Sequence, residues 1–372
     1  MKVTLKSSLM TWSGSDFVLS KLETVRKEAL HGYNKVTVLP SEELDDAYKE
    51  VGILNGYRVN YSFSQVIISL FKVNNETVNF WTHIVPAVYF AWKLAFLYSS
   101  QPLLSDPYWI PLSCYLFSCM AYPLASALAH AFSCMSPFSS HLCFFLDYST
   151  LSFYSWGAAV FYYSYCFPES ALHTYYSYSY LPISALNSVL STFLACSSRL
   201  KKQSRFATTF RLGSFVVPYI WVSSPLVYRL LTCDPITDSC AESSYFHVSQ
   251  FVLVLAASFF YATHIPERFL PGYFDFIGHS HNLLHVFGIS ATYQQMCGGL
   301  IDLSFRKTRL LGMGWTVDPL WTWLATPLVI VSTLVIIFCS TRIMDDVRPF
   351  TCHSNQALRP SLSHTNSAKK CH

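Results

Sequence analysis

The stretch LWTWLATPLVIVSTLVIIFCS, residues 320–340, runs for 21 residues without a charged side chain. An α-helix of that length rises about 30 Å, the thickness of a bilayer's hydrocarbon core. Trp321 and Trp323 sit at one end, where an aromatic belt meets the headgroups. Less pure apolar runs recur upstream at 77–98, 108–132, 142–163, 175–197, 211–231, 245–264 and 276–297. Only 12% of the 372 residues are charged, about half the share of a soluble domain. The pattern predicts an all-α polytopic membrane protein. Seven crossings fall within residues 76–300, and residues 301–341 supply a loop and an eighth, C-terminal transmembrane helix.

Eight crossings return the chain to the side where it began. Residues 1–75 hold nine Lys/Arg and the 198–211 connection, SRLKKQSRFATTFR, holds five, whereas those near 99–107, 164–174 and 232–244 hold none. The positive-inside rule therefore predicts a cytosolic amino-terminal region and a cytosolic tail, residues 342–372. One connection dissents: IDLSFRKTRLLGMGWTVD, residues 301–318, carries Arg306, Lys307 and Arg309 on the outer side. In the amino-terminal region SEELDDAYKEVG reads as a short amphipathic or capped helix and YSFSQVIISLF as an interfacial one. The Ser-rich tail is expected to be disordered. MKVTLKSSLMTWSGSDF lacks the continuous apolar core of a signal peptide, so the first transmembrane helix is expected to direct insertion. Sequons at Asn60 and Asn75 face the cytosol in this orientation and stay unmodified. A net charge of +4 gives no case for nucleic acid.

The twelve cysteines include no CxxC pair, which argues against a zinc ribbon or a redox motif. Most lie in apolar runs as buried thiols. Cys233 and Cys240, in CDPITDSC, close a small disulfide if their loop faces the oxidising side.

A second stretch raises the functional question. GHSHNLLHVFG, residues 278–288, places His279, His281 and His285 in an otherwise apolar run. His281 and His285 are spaced i, i+4, so a helix puts both on one face, suited to two ligands of one metal ion. Such pairs arise often by chance, but ionisable groups within membrane spans are costly and mark functional positions. His130 ends the second span and Asp147 opens the third. Alternating crossings put both at the same depth as His281 and His285, whichever way the chain is inserted. Three histidines with a water in the fourth position form an open zinc arrangement, and Asp147 would orient or deprotonate that water. Ser126 lies one turn before His130, on the same face.

These residues carry a family resemblance. SALAHAFSCMS, then FFLDYSTLSFYSWG, then IPERFLPGYFDFIGHSHNLLHVF, with VGILNGYR and NETVNFWTHIVP before them, resembles the progestin and adipoQ receptor family over residues 51–296. The phrasing is most similar to the family's membrane progestin receptors, the gamma type in particular. The resemblance implies an adiponectin-receptor-like heptahelical core with an intramembrane zinc near the cytosolic face, and that branch implies the eighth span. It carries the metal ligands onto His130, His281 and His285, the water-holding acid onto Asp147 and the serine beside it onto Ser126. The chain departs from the family pattern at Asn282, where a glutamine is usual, and at Leu284, where an aromatic is common.

Other polar residues have plainer readings. His279 points away from the 281/285 face and reads as interfacial. Glu76 and His83 share a face of the first helix, with a structural role favoured over lining the cytosolic mouth. His141, His173, His247 and His264 lie near span ends and read as solvated. Pro86, Pro123, Pro182, Pro218 and Pro225 are expected to kink helices and open an interior cavity. Three functions remain open. The resemblance implies a plasma-membrane receptor for progesterone-like steroids, with rapid signalling through inhibitory G proteins and a role in oocyte maturation. The zinc, water and Asp147 set also suits a ceramidase-like amide hydrolase acting on a ceramide-like lipid. Zinc as a structural clamp between helices is the third.

Overall fold

Nine α-helices have described bounds in the computed structural model, which describes residue 21 and residues 36–101, 106–200, 207–233, 240–316 and 318–344. A short helix, α1 (Phe63–Ser69), precedes α2 (Thr77–Ser100), α3 (Ile110–Phe132), α4 (Pro137–Phe161) and α5 (Tyr175–Leu200). Then follow α6 (Ala207–Thr232), α7 (Cys240–Thr263), α8 (Ser280–Gly312) and α9 (Thr326–Arg342). No strand occurs among the described residues beyond an isolated bridge between Leu39 and Tyr57. Each expected crossing coincides with one of the eight long helices. Six of these are long and apolar enough to cross a membrane; the other two, α4 and α8, carry the polar residues of the candidate site and its opposite pole. The protein is an all-α polytopic membrane protein.

Contacts sort the helix ends into two sets, as alternating crossings require. At one end Lys307 meets Asp106 at 2.5 Å and Arg309 meets Glu169 at 2.6 Å. There Arg306 also donates to the carbonyls of Tyr165 and Phe167, at 2.7 and 2.9 Å. At the other end Arg199 donates to Ser140 Oγ at 3.0 Å, and Arg58 donates to the carbonyl of His130. The prolines expected to bend helices all lie inside them, Pro86 in α2, Pro123 in α3, Pro182 in α5, and Pro218 and Pro225 in α6. α9 lies against α4 and α5, tied by Trp156 Nε1 donating to Thr326 Oγ1 at 2.9 Å and by a cluster of Phe145, Cys196 and Ile337.

Two sequence expectations need correction. The loop expected from residue 301 is helix as far as Gly312. Its basic residues are partnered by the acids and carbonyls just named. One of those carbonyls, that of Tyr165, belongs to the turn Tyr162–Cys166, where α4 unwinds to a wider helix. SEELDDAYKEVG forms two short 3₁₀ turns, Ser41–Glu43 and Asp46–Tyr48, rather than one helix. Leu44 lies between them in extended backbone, because its side chain is drawn into a buried cluster with Ile53 and Tyr57. A helix does form within YSFSQVIISLF, as α1, started by the Ser62 N–H donating to Gln65 Oε1 at 2.8 Å. Residues 201–206 of the basic connection and the tail from residue 345 lie outside the described residues.

The amino-terminal segment closes the end of the bundle that holds the histidines. Leu54 N–H and Asn55 Nδ2 donate to Asp275, at 2.8 and 2.9 Å, and Gly272 N–H donates to Gly52 O at 3.0 Å. So VGILNGYR and PERFLPGYFDFIGHSH, far apart in sequence, build one structure. Gly52 is required there: its φ is +77°, and a Cβ would sit 2.2 Å from the Glu267 carbonyl oxygen. Glu267 in turn accepts from Ser280 N–H at 2.7 Å and from the Ser280 hydroxyl, capping the start of α8.

Candidate metal and lipid site

His130 is in the last turn of α3, and His281 and His285 are in the first two turns of α8. Where α8 begins inside the bundle, its first N–H, that of Ser280, is met by Glu267, and Gly278 N–H just before it donates to Asn282 Oδ1 at 2.8 Å. Asn282 Nδ2 donates across to Asn79 Oδ1 on α2 at 2.6 Å. The shorter amide at 282 therefore spends both of its groups, one on its own helix start and one on α2.

One ring nitrogen from each of His130, His281 and His285 lies within 4.8 Å of the other two. The Nε2 atoms of His130 and His281 are 3.3 Å apart. Two imidazole nitrogens bound to one tetrahedral zinc at about 2.0–2.1 Å stand about 3.3 Å apart. His130 and His285 are only 2% and 4% exposed, and His281 is half-buried. The donor set, borderline nitrogen ligands with a carboxylate nearby, is one that zinc accepts.

A cavity of about 320 Å³ opens beside these rings, at the lower end of the size range of small-molecule pockets. Its wall includes Asp147, Ser126, His281 and His285 near one end, and Tyr162, Gln250 and Gln295 deeper in the bundle. Ser126 and the Asp147 carboxyl share that stretch of wall. Arg211 and Tyr261 add a polar flank, and Leu284 and Pro218 complete the apolar wall. The four residues singled out by depth and Ser126 thus gather at one end of the bundle: three rings in a cluster, with the acid and the serine on the cavity that His281 and His285 border.

Three histidines and one acid differ from their sequence readings. Glu76 and His83 are part of the site. Glu76 Oε2 is 2.6 Å from His130 Nδ1, and His83 lies flat on His285 with ring centroids 3.6 Å apart. Their seven-residue spacing was a signal for a shared face; what lay opposite that face was not in the spacing. His279 is buried rather than interfacial, as the residue preceding α8. His247 is fully buried rather than solvated, with Nε2 2.9 Å from Asp302 Oδ2. His141, His173 and His264 keep some exposure, as expected for span ends.

Cys166, His247 and Asp302 also bring ligand atoms within 4.8 Å of one another, at the opposite end of the bundle. Here Arg229 already holds the carboxylate bidentately, at 2.6 and 2.9 Å. A guanidinium neutralises this acid, which makes the group a buried ion pair joining α6, α7 and α8. On the same side Cys233 and Cys240 form a disulfide, their Cα atoms 6.4 Å apart.

A family model described as Haemolysin-III related matches residues 71–296, which includes all five site residues. The chain belongs to this family, that of the progestin and adipoQ receptors. It is 40% identical over 289 residues to membrane progestin receptor gamma-B of Danio rerio, covering 72% of this chain and 83% of that protein. It is 39% identical over 273 residues to the gamma receptor of Homo sapiens, covering 73% and 82%. Membrane progestin receptor delta of Mus musculus is 39% identical over 294 residues, covering 76% and 85%. The gamma-type likeness read from the NETVNFWTH and PERFLPGYFDFIGHSH phrases agrees with these relatives. Both phrases border the histidine cluster, one on α2 and one at the start of α8.

Proposed function

We propose that this member of the progestin and adipoQ receptor family is a plasma-membrane progestin receptor with an intramembrane zinc site. The observation that carries the metal reading is the convergence of His130, His281 and His285 beside a largely apolar cavity. The relatives' names supply the ligand class, and a steroid suits a cavity with polar groups near both ends of an apolar wall. The amino terminus faces the cytosol and rapid signalling passes through an inhibitory G protein on that side. Two observations support the orientation: the outer-side basic residues of α8 are engaged by Asp106, Glu169 and backbone carbonyls, and the disulfide lies on the side left for the oxidising compartment. Saturable binding of labelled progesterone to protein in lipid nanodiscs, displaced by other progestins and not by cholesterol, is the expected result. Binding that does not saturate refutes the receptor reading.

The placement of Asp147 favours a second reading, a zinc-dependent ceramidase-like amide hydrolase. When bound, zinc would polarise a carbonyl and acidify water. Asp147, at the cavity wall with Ser126 and the His281 and His285 rings, is the group positioned to take a proton from water and pass it on. Ser126 lines the same wall, which is otherwise largely apolar. Asp147→Asn is then expected to retain metal and lose ceramide turnover. Purified wild-type protein without turnover, with and without progesterone, removes this reading and leaves the receptor.

A further inference from the structure

The imidazole rings of the cluster do not choose their own tautomers. A carboxylate only accepts hydrogen bonds, so Glu76 Oε2, 2.6 Å from His130 Nδ1, requires the ring proton on Nδ1. Asn79 Nδ2 donates to the same oxygen at 2.8 Å, holding the carboxylate in place. Thr82 does the same for the other ring. Its hydroxyl has a single proton, placed on the backbone carbonyl of Val78 at 2.8 Å or Asn79 at 3.0 Å. Its oxygen, 3.1 Å from His285 Nδ1, is left to accept. Both rings therefore carry their proton outward, toward α2. His130 turns the bare lone pair of Nε2 toward His281, and His285, by the same reasoning, carries its lone pair on Nε2.

We infer that Glu76 and Thr82 are positioning residues for the metal ligands His130 and His285, fixing which nitrogen each presents. Glu76 immediately precedes α2 and Thr82 lies in its second turn, both within the NETVNFWTH phrase, whose role the five-residue site leaves unexplained. The inference rests on the zinc reading, since a fixed Nε2 lone pair matters only where a cation receives it. Glu76 adds a negative charge one ring away from the cluster, which with Asp147 balances a divalent ion. Partners of this kind typically change metal affinity 10–100-fold when removed.

The test uses the full-length protein and reads metal rather than activity. Zinc affinity is measured by competition with a chelator, and the visible absorption of the cobalt-loaded protein reports the ligand geometry. Thr82→Val, which keeps the side-chain shape, is expected to weaken zinc about 10–100-fold and to shift the cobalt bands, with Thr82→Ser restoring both. Glu76→Ala is expected to weaken zinc at least as much, and Glu76→Gln, which keeps an acceptor but not the charge, less. Wild-type protein that holds zinc alongside Thr82→Val and Glu76→Ala variants of unchanged affinity and spectrum overturns this inference alone. Folded wild-type protein that takes up no zinc overturns it together with the metal reading.

Discussion

Replacing Arg229 with methionine strips Asp302 of its bidentate partner inside the bundle. Asp302 is 0% exposed and Arg229 1%, and the bonds removed measure 2.6 and 2.9 Å. Breaking a buried pair from one side costs about 3–5 kcal/mol, because a charge is left without compensation. His247 Nε2 stays 2.9 Å from Oδ2 and takes up part of that charge, which places the expected cost near about 3 kcal/mol. The double variant Arg229→Met, Asp302→Leu removes both charges. It is expected to recover most of the loss, since replacing a whole buried pair with apolar groups is near neutral or stabilising. The assay is the thermal midpoint of detergent-solubilised protein followed by size-exclusion chromatography. A single variant that melts with the wild type, or a double variant weaker than the single, refutes the reasoning that mutual neutralisation is what this pair contributes.

Gly52→Ala forces a left-handed backbone on alanine and a Cβ 2.2 Å from the Glu267 carbonyl; it is expected to cost more than about 1–2 kcal/mol, read as a lowered thermal midpoint. Asp106 has its carboxyl held below the usual range, chiefly by the hydrogen bond from Lys307. A depressed acid stabilises the fold above its unfolded value, about pH 4, and that contribution is lost as pH falls through the lowered folded value. The pair is partly exposed, so the expected loss is under about 1 kcal/mol, seen as a wild-type midpoint that falls below pH 4 more than that of Asp106→Asn. In intact cells Asn60 is expected to carry no glycan, and Cys233 and Cys240 to react with an impermeant maleimide only after reduction; a glycan at Asn60 reverses the orientation.

Depth was legible in the sequence because crossings alternate. That rule alone brought His130, Asp147, His281 and His285 to one level, and the i, i+4 spacing supplied a face. What lay across from each face was not legible. Glu76 reaches His130, and His83 reaches His285, from a helix whose own pattern shows only that the two share a side. His247 was misread because its partner, Asp302, stands 55 residues later in a segment whose arginines and lysine resembled a solvated loop. Those cations are held by acids and carbonyls contributed by other segments, which local composition cannot show. The docking of VGILNGYR on the segment before α8 likewise depends on Asp275 and Glu267, more than 200 residues away.

The most direct test of the metal centre is elemental analysis of purified, monodisperse full-length protein beside a His130→Ala, His281→Ala, His285→Ala variant. About one zinc per wild-type chain, absent from the variant, is the predicted result. Folded wild-type protein carrying no more zinc than the variant contradicts it.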